Sequence, residues 1–387
     1  MGKNAQKPAI RFHGFTDPWE QRKLGELCSE FRSGEFIRAD AIAETGSYPV
    51  FGGNGLRGYT DRYNHDGDFA LIGRQGALCG NMNFSSGKAY FTEHAVAVKA
   101  DKSNDTRFLF YCFGTMNLGQ YSGQSAQPGL AVGNLVELET MVPAKAEQEC
   151  ISASLTALDT LITLHQRKCV KLLNVKKSML EKMFPRDGRN VPEIRFNGFT
   201  DPWEQRKVGE LLTERNDQAP MSDAYPLMAF IANEGVAPKG ERYDRSALVN
   251  DTAGKLYKKT EFGDFIYSSN NLETGSIGLN KYGKASISPV YSIFQPTGLA
   301  DSDFIGRRFV RKDFINAMVK WRQGVIYGQW RIHESDFIKI EVAVPSVEEQ
   351  RKIGAFLDQL DNLITLHQRK LEKLKNIKKS MLEKMFI

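Results

Sequence analysis

Two long segments of the chain carry apolar residues in alternating steps of three and four, which is the pattern of a coiled-coil seam. They occupy residues 146–184 and 348–387, and Gly354 is the one glycine or proline in either. Each segment is therefore predicted to be one long helix. The seam positions are Ile151, Leu155, Leu158, Ile162, His165 and Leu172 in the first segment, and Ile353, Leu357, Leu360, Ile364, His367, Leu371 and Leu374 in the second.

Two helices with matching seams are expected to pack against each other, because each seam needs an apolar partner. Acidic residues early in each segment and basic residues late in it favour an antiparallel pair, although the helix macrodipole alone accounts for the same polarity. His165 and His367 are polar residues on the seam. We interpret them as residues that fix the register; a metal ligand or a proton relay is the alternative.

Each helical segment stands at the end of one copy of an internal sequence repeat. Pro8–Leu27 (PAIRFHGFTDPWEQRKLGEL) returns 184 residues later as Pro192–Leu211 (PEIRFNGFTDPWEQRKVGEL), and both tails contain LITLHQRK and KKSMLEKMF. A period of about 200 residues is too long for a solenoid and indicates two domains of one architecture. The predicted division is a globular domain at 1–145, a helix at 146–184, a linker at 185–191, a second globular domain at 192–347 and a helix at 348–387.

The bodies between these shared ends look unrelated to each other in sequence. Both are rich in turn residues between short β-prone runs such as Phe69–Ile72 and Tyr90–Phe91. Each is predicted to contain a helix, at Thr106–Asn117 and near Lys312–Trp321. The predicted fold class is therefore α+β (mixed), with two pseudo-repeated globular α/β domains joined by two long antiparallel coiled-coil helices.

Composition excludes several classes of protein. The net charge is +6, and the segments Val142–Phe184 and Val344–Phe386 carry all of it, so the charge permits a nucleic-acid partner but does not require one. Five scattered cysteines without a CxxC pair indicate reduced thiols and no zinc ribbon or disulfide framework. The sequence has no run of 18 apolar residues and no apolar leader, so we expect a cytoplasmic protein that spans no membrane.

The sequence offers little support for catalysis by this chain. Phe51–Gly55 (FGGNG) matches a methyltransferase glycine loop on paper, but turn-rich sequence follows it where a helix is required. The motifs GxxxxGK[ST], HExxH and GxSxG are absent from the sequence. The histidines outside the tails have no metal-ligand spacing. We therefore expect no catalytic residue, no metal and no cofactor in this chain.

The duplicated plan, with its repeats FTDPWEQRK, LITLHQRK and KKSMLEKMF, resembles the specificity subunit of type I restriction-modification enzymes over essentially the whole chain. The resemblance implies that the globular domains are target recognition domains, each reading one half of a bipartite site in double-stranded DNA. It implies that the helices space these domains and dock two modification (methyltransferase) subunits, and that restriction (endonuclease and translocase) subunits join the complex. S-adenosylmethionine, ATP and Mg are then expected on the partner subunits.

Adenine and guanine edges in the major groove are read by Asn or Gln and by Arg or Lys, respectively. Loops of both bodies contain these residue types, and for any single one a solvated surface residue is the alternative interpretation. The competing function is a non-enzymatic coiled-coil scaffold with two ligand-binding bodies. The candidate DNA-binding residues are Arg57, Arg62, Arg74, Gln75, Gln124, Ser125 and Gln127 in the first body, and Lys239, Lys258, Lys259, Asn270, Asn271, Gln329 and Arg331 in the second.

Overall fold

A computed structural model describes residues 7–76, 78–123, 129–186, 188–238, 255–326 and 329–387. The chain divides into two compact units, one of Met1–Lys168 with His367–Ile387 and the other of Cys169–Leu366. Both divisions fall inside the long helices, whereas the linker 185–191 lies within the second unit. The reason is that the end of each helix packs on a head, as described below. The finer division into recognition domains and spacer helices stays a prediction.

The first unit contains nine strands and three α-helices among its described residues. Three short 3-10 helices also occur, at Leu24–Leu27, Ala39–Ala41 and Leu118–Tyr121. The strands are β1 (Glu20–Lys23), β2 (Cys28–Ser33), β3 (Tyr48–Gly52), β4 (Gly55–Thr60), β5 (Phe69–Gly73), β6 (Met82–Ser85), β7 (Tyr90–Phe91), β8 (Ala95–Ala100) and β9 (Glu139–Val142). The helices are α1 (Thr106–Thr115), α2 (Val132–Val136) and the first long helix, α3 (Lys145–Lys182).

The core sheet of the first unit has the order β2-β8-β5-β6, and all its neighbours are antiparallel. A second sheet has the order β4-β3-β7, in which β3 and β7 are parallel. The head strand β1 pairs antiparallel with β9, directly before α3. This pairing was not predicted, because EQRK in β1 has no alternation of apolar residues. It joins the head to the start of the tail.

The second unit is built from thirteen described strands and the remaining helices. The strands are β10 (Glu204–Lys207), β11 (Leu212–Glu214), β12 (Gln218–Ala219), β13 (Ala229–Ile231), β14 (Gly235–Ala237), β15 (Tyr257–Thr260), β16 (Phe265–Tyr267), β17 (Ile277–Leu279), β18 (Ala285–Ile287), β19 (Ser292–Pro296), β20 (Gln323–Ile326), β21 (Gln329–Arg331) and β22 (Glu341–Val344). The helices are α4 (Val208–Leu211), α5 (Ser302–Phe309), α6 (Lys312–Val319), α7 (Glu334–Phe337) and the second long helix, α8 (Val347–Met385).

The two bodies share one architecture although their sequences differ. The second has a four-stranded sheet of order β11-β19-β16-β17, the counterpart of β2-β8-β5-β6, and its head strand β10 pairs with β22 as β1 pairs with β9. Smaller sheets β12-β15-β18, β13-β14 and β20-β21 complete it. The predicted helices are present as α1 and α6, each two residues shorter at its C-terminus, and α5 was not predicted.

The start of each long helix is fixed to its body by the same side chains. Gln148 accepts a hydrogen bond from the backbone N–H of Asp105, and Asp105 caps α1 by accepting from the N–H of Phe108. In the second unit Gln350 and Asp301 make the same two contacts with α5. These repeated caps satisfy buried backbone donors at both helix starts. They also establish which residues of α1 and α5 are equivalent.

Each head is also held by a buried ion pair. The guanidinium of Arg11 donates from Nε and Nη2 to the carboxylate of Glu147, at 2.6 and 2.7 Å. Arg195 and Glu349 make the same bidentate contact at 2.7 Å. Both glutamates are only 1% exposed, so loss of either arginine would leave a buried charge without its partner. The pairs explain why these positions are identical in both copies.

The long helices pair antiparallel within each unit. In the first unit the seam of α3 near Ile151 and Leu155 shares a core with Met385 at the end of α8. In the second unit Met179 of α3 packs against the core that contains Ile353 near the start of α8. All thirteen predicted seam residues are buried or half-buried. Two equivalent ion pairs flank the seam, Asp159 with Lys378 in the first unit and Asp361 with Lys176 in the second.

The ends of the tails pack on the heads. Phe386 stacks on Phe108 of α1, with ring centroids 5.5 Å apart, and meets the edge of Trp19 at 6.4 Å. In the second unit Phe184 stacks on Phe304 of α5 at 5.6 Å and meets Trp203 at 6.0 Å. The first unit is therefore completed by the last residues of the chain.

The packing of Phe386 predicts a large effect from a substitution one residue before the chain end. Phe386→Ala is expected to cost the first unit about 3 kcal/mol, because it removes a buried ring from a packed aromatic cluster. Urea unfolding of the full chain measures the loss. Ile387→Ala is the matched control, since Ile387 is 49% exposed, and it should change stability by less than about 0.5 kcal/mol. Equal effects of the two substitutions would contradict this packing.

The histidine pair predicts a dependence of stability on pH. Nδ1 of His165 lies 2.8 Å from Nδ1 of His367, so one ring must donate and the other accept. Desolvation, with the positive charges of His165, Lys168 and Lys370, lowers the pKa of His367 below 6.5. The unfolded state therefore binds more protons than the folded state as the pH falls below about 6.5, and stability declines there.

Denaturant midpoints of the full chain at about pH 7.5 and 5.5 check this expectation. His367→Asn keeps a polar seam residue but removes the titrating group, so the difference between the two midpoints should shrink. An equal difference in the variant and the parent chain would assign the pH dependence to other groups.

Candidate nucleic-acid interface

In the first body, Arg74 and Gln75 lie directly after β5, where the turn at Gly53 lies close to the backbone of Gly73. A Cβ on Gly73 would lie 2.3 Å from the carbonyl oxygen of Gly53, so only glycine permits this approach. Gln75 is exposed and available to a ligand. Arg74 is half-buried, and its guanidinium donates to the carbonyl oxygen of Leu130 at 3.3 Å. The geometry thus ties Arg74 to a backbone carbonyl and leaves the side chain of Gln75 exposed.

The loop that follows Tyr121 begins and ends at this site. Gln75 forms a β-bridge with Gly129, and the N–H of Gly123 donates to the carbonyl oxygen of Gly129 at 3.3 Å. Gln124, Ser125 and Gln127 lie outside the described residues. The described ends of their loop nevertheless lie beside Gln75.

Arg57 and Arg62 belong to the same body and are both exposed. Arg57 is on β4, and its aliphatic part lies against Gly52, where a Cβ would come within 2.5 Å of Cδ. Arg62 lies over the ring of Tyr90, 5.2 Å from its centroid. The structure therefore groups Arg57 with Gln75 around the Gly52–Gly53 turn, and a cation–π contact orients Arg62.

In the second body, Asn270, Asn271 and Arg331 come together. The two asparagines follow β16 in a turn, and the hydroxyl of Ser269 in that turn accepts from the N–H of Ile332 at 3.0 Å, directly after Arg331. Asn271 and Arg331 are exposed. Oδ1 of Asn270 is buried and has no hydrogen-bond partner among the described residues. These are the residue types that read adenine and guanine.

Lys258 and Lys259 are neighbours on β15, so their side chains point to opposite faces of the sheet. Lys258 is buried, with 7% of its surface exposed, and Lys259 lies 4.9 Å over the ring of Tyr225. Lys258 therefore has little surface to offer a ligand, whereas Lys259 is half-buried and more accessible. Lys239 and the side chain of Gln329 lie outside the described part of the structure.

A carboxylate sets the electrostatics beside Arg331. Burial acts to raise the pKa of Glu334, but the hydroxyl of Ser292, at 2.7 Å, and the positive charges of Lys258 and Arg331 outweigh it, so the pKa is lowered. Oε2 of Glu334 lies 3.7 Å from the Arg331 guanidinium. The carboxylate thus compensates part of the positive charge of Arg331, whose side chain stays exposed.

Sequence reasoning missed several exposed apolar residues beside these candidates. Phe36 is next to Tyr90, whose hydroxyl donates to the Phe36 carbonyl oxygen, and Trp330 lies between Gln329 and Arg331. Leu56 precedes Arg57. All three are at least 45% exposed. Apolar side chains of this kind contact thymine methyl groups or stacked bases. The signal in the sequence was the position of Leu56 beside Arg57 and of Trp330 between Gln329 and Arg331.

Each unit also presents a second candidate surface on a long helix, Leu161 and Leu164 of α3 in the first unit and their repeat counterparts Leu363 and Leu366 of α8 in the second. Each of the four is between 42% and 45% exposed. These leucines belong to the identical block LITLHQRK, whose exposed Gln-Arg-Lys residues follow them. Their exposure and identity are unexplained by core packing. The surface is suited to a protein partner with an apolar centre.

The described residues contain no cluster of three or more His, Cys, Asp or Glu side chains that could hold a metal ion. Within the same described ranges, no helix is long and apolar enough to cross a membrane.

Comparison with known proteins gives one consistent family. The family model of the type I restriction modification DNA specificity domain matches the chain twice, at residues 16–174 and 200–376. The EcoprrI type I restriction enzyme specificity subunit of Escherichia coli is 47% identical over 146 residues, which are 37% of this chain and 36% of that protein. The chain thus matches about a third of that relative's length.

More distant relatives cover nearly the whole chain. A putative type I restriction enzyme specificity subunit of Haemophilus influenzae, S.HindORF215P, is 20% identical over 357 residues, which are 89% of this chain and 88% of that protein. The crystal structure of the type I restriction-modification system S subunit from M. genitalium matches with a TM-score of 0.66 at 16% identity, over 98% of this chain and 99% of the other. The resemblance and the fold class predicted from the sequence are confirmed.

Proposed function

The chain belongs to the type I restriction-modification DNA specificity family, and we propose that each of its two bodies reads one half of a bipartite site in double-stranded DNA. One observation carries this proposal. Two bodies of the same sheet order stand between near-identical heads and tails, yet they present different side chains at the corresponding place. A shared architecture with different polar groups is what two readers of two different half-sites require.

The exposed residues around the two grouped sites are the proposed readers. In the first body these are Arg57 and Gln75, with the loop that begins after Gly123. In the second body they are Asn271 and Arg331. Arg74 and Glu334 act as positioning residues, because each holds a backbone segment or a side chain of the reading surface. Lys258 is left out of the proposed set because it is buried.

The partners follow from the same proposal. The long helices space the two reading bodies and dock two modification subunits, and restriction subunits join the assembly. The partner subunits carry S-adenosylmethionine, ATP and Mg, and this chain contributes recognition without catalysis. We place the assembly in the cytoplasm, where its DNA is. Outside Val142–Phe184 and Val344–Phe386 the chain holds equal numbers of basic and acidic residues, so we expect partner subunits to supply much of the phosphate contact.

The first prediction from this function concerns exchange of a body. Replacing residues 28–138 with the matching segment of a relative keeps β9, which pairs with the head, and changes only the first reader. Genome-wide mapping of methylated adenines in cells should then show one half of the bipartite motif changed and the other retained. The matched exchange of 212–340, which keeps β22, should change the opposite half.

Alteration of both halves by one exchange would show that the bodies do not read independently. Absence of any sequence-dependent methylation or DNA binding by the complete complex would instead support the scaffold alternative.

The second prediction concerns partner docking. Leu161→Ser with Leu164→Ser should weaken one of two modification-subunit sites by about 100-fold, since each lost leucine contact contributes about 1.5 kcal/mol. Native mass spectrometry of the mixed subunits should then show one modification subunit on each chain where the parent chain carries two.

The chain contains a matched control for this experiment. Leu173 is 46% exposed on the same helix α3, but its repeat counterpart is Lys375, so it does not belong to the duplicated surface. Leu173→Ser should leave two modification subunits bound. Retention of two subunits by the Leu161 and Leu164 variant would move the docking surface elsewhere without affecting the DNA-reading proposal.

A further inference from the structure

The second unit contains a basic cavity that the proposed function does not use. Its volume is about 680 Å³, and it lies between the segment after α3, the helices α5 and α6, and the β10–β22 sheet. Five cationic side chains and two carboxylates, Asp313 and Glu341, line it. The cationic residues are Arg186, Arg189, Arg308, Arg311 and Lys312. The lining therefore has an excess of positive charge.

The Arg308 side chain is buried and the Arg311 side chain is half-buried, and both guanidinium groups lie beside the carboxylate of Asp313. Arg308 is only 9% exposed; its Nη1 lies 2.8 Å from Oδ2 of Asp313, at an angle that makes no hydrogen bond. Nε of Arg311 lies 3.6 Å from the other oxygen of Asp313. The buried Nε atoms of both arginines have no hydrogen-bond partner among the described residues. Burial lowers the pKa of both guanidinium groups, which reflects positive charge that is incompletely compensated.

The shared architecture does not require these charges. The caps Asp105 and Asp301 align α1 with α5, so that Phe108 corresponds to Phe304 and Arg308 corresponds to Cys112. Cys112 is buried as Arg308 is, but it is an uncharged thiol within 3.3 Å of the Thr140 hydroxyl. The same place in the same architecture is thus filled without charge in the first unit. A buried arginine here needs another explanation than packing.

We propose that this cavity binds a phosphate group. The guanidinium groups of Arg308 and Arg311 line the cavity, and each keeps an Nε–H without an acceptor among the described residues, although Nη1 of Arg311 donates to the carbonyl oxygen of Leu180. Guanidinium geometry matches phosphate oxygens. Lys312 begins α6, an eight-residue helix whose N-terminus has no side-chain cap, so backbone N–H groups and the helix dipole add to the site. Arg186 and Arg189 are exposed at the rim and attract the anion.

Two sources can supply this chemistry, the backbone of DNA or a free phosphate compound, and the same cavity suits both. Binding would join the segment after α3, the α5–α6 pair and the head sheet. We therefore expect it to stabilise the second unit by preferential binding to the folded state.

Thermal unfolding of the full chain, with inorganic phosphate as the probe and chloride keeping ionic strength constant, tests the proposal. About 10 mM phosphate should raise the unfolding temperature of the parent chain by at least about 3 °C. Arg308→Met keeps the volume of the side chain and removes the charge, so it should abolish the phosphate-dependent rise. Its unfolding temperature without phosphate should equal or exceed that of the parent chain, because a poorly compensated buried charge is gone.

Lys312→Gln provides a second variant at an exposed position, where misfolding is not expected. It should weaken phosphate binding by about tenfold, the equivalent of one charge-assisted contact. Lys320→Gln is the matched control, since Lys320 is also exposed and does not line the cavity. The same phosphate response in the parent chain, Arg308→Met and Lys312→Gln would overturn the proposal.

A DNA duplex without a recognition site distinguishes the two sources. If the DNA backbone is the source, the duplex competes with phosphate, and Lys312→Gln lowers the salt dependence of DNA binding by about one unit of slope. If the source is a free phosphate compound, the duplex leaves the phosphate titration unchanged. Either result supports a phosphate site, and both are independent of which bases the bodies read.

Discussion

The packing of a tail-end phenylalanine against the tryptophan of a head is the contact on which the two units depend. Phe184 packs on Trp203 only nineteen positions further along the chain, whereas Phe386 reaches Trp19 from the opposite end of the sequence. The same interface is therefore made once locally and once between the chain ends. Any change in Trp19 must suit Phe386, and any change in Trp203 must suit Phe184. Within each unit this requirement constrains the head and the tail end together.

Some residues that are identical in both copies make contacts that the fold needs, and others do not. Arg11 with Glu147, Gln148 with Asp105, and Asp159 with Lys378 each recur in the second unit, and each contact is needed to satisfy a buried or half-buried polar group. The exposed leucines of LITLHQRK satisfy no such need. Their identity in both copies and their large exposed fraction are what the proposed docking of the same partner at each copy would require.

The sequence predicted what depends on local periodicity. The seams of the two long helices follow from steps of three and four, and short runs such as Phe69–Ile72 follow from β-prone composition between turns. The β1–β9 pairing could not be predicted, because its partners are over a hundred residues apart and EQRK carries no apolar alternation. The sequence also could not show which of Lys258 and Lys259 is buried. Neighbouring residues on a strand point to opposite faces of the sheet, and here Lys258 is the buried one.

The sequence alone could not predict which candidate residues of the first body come together. Arg74, Gln75 and Arg57 are close only because Gly53 and Gly73 allow two backbone segments to approach each other. Arg74 donates to the carbonyl oxygen of Leu130 and is therefore not free for a ligand. In the second body the carboxylate of Glu334 compensates part of the positive charge of Arg331. In both bodies an arginine beside the proposed reading residues thus already has a partner within the protein. A reader with little excess charge binds nonspecific DNA weakly, so discrimination between bases contributes a larger share of its binding. That property suits a chain whose partners are proposed to hold the DNA backbone.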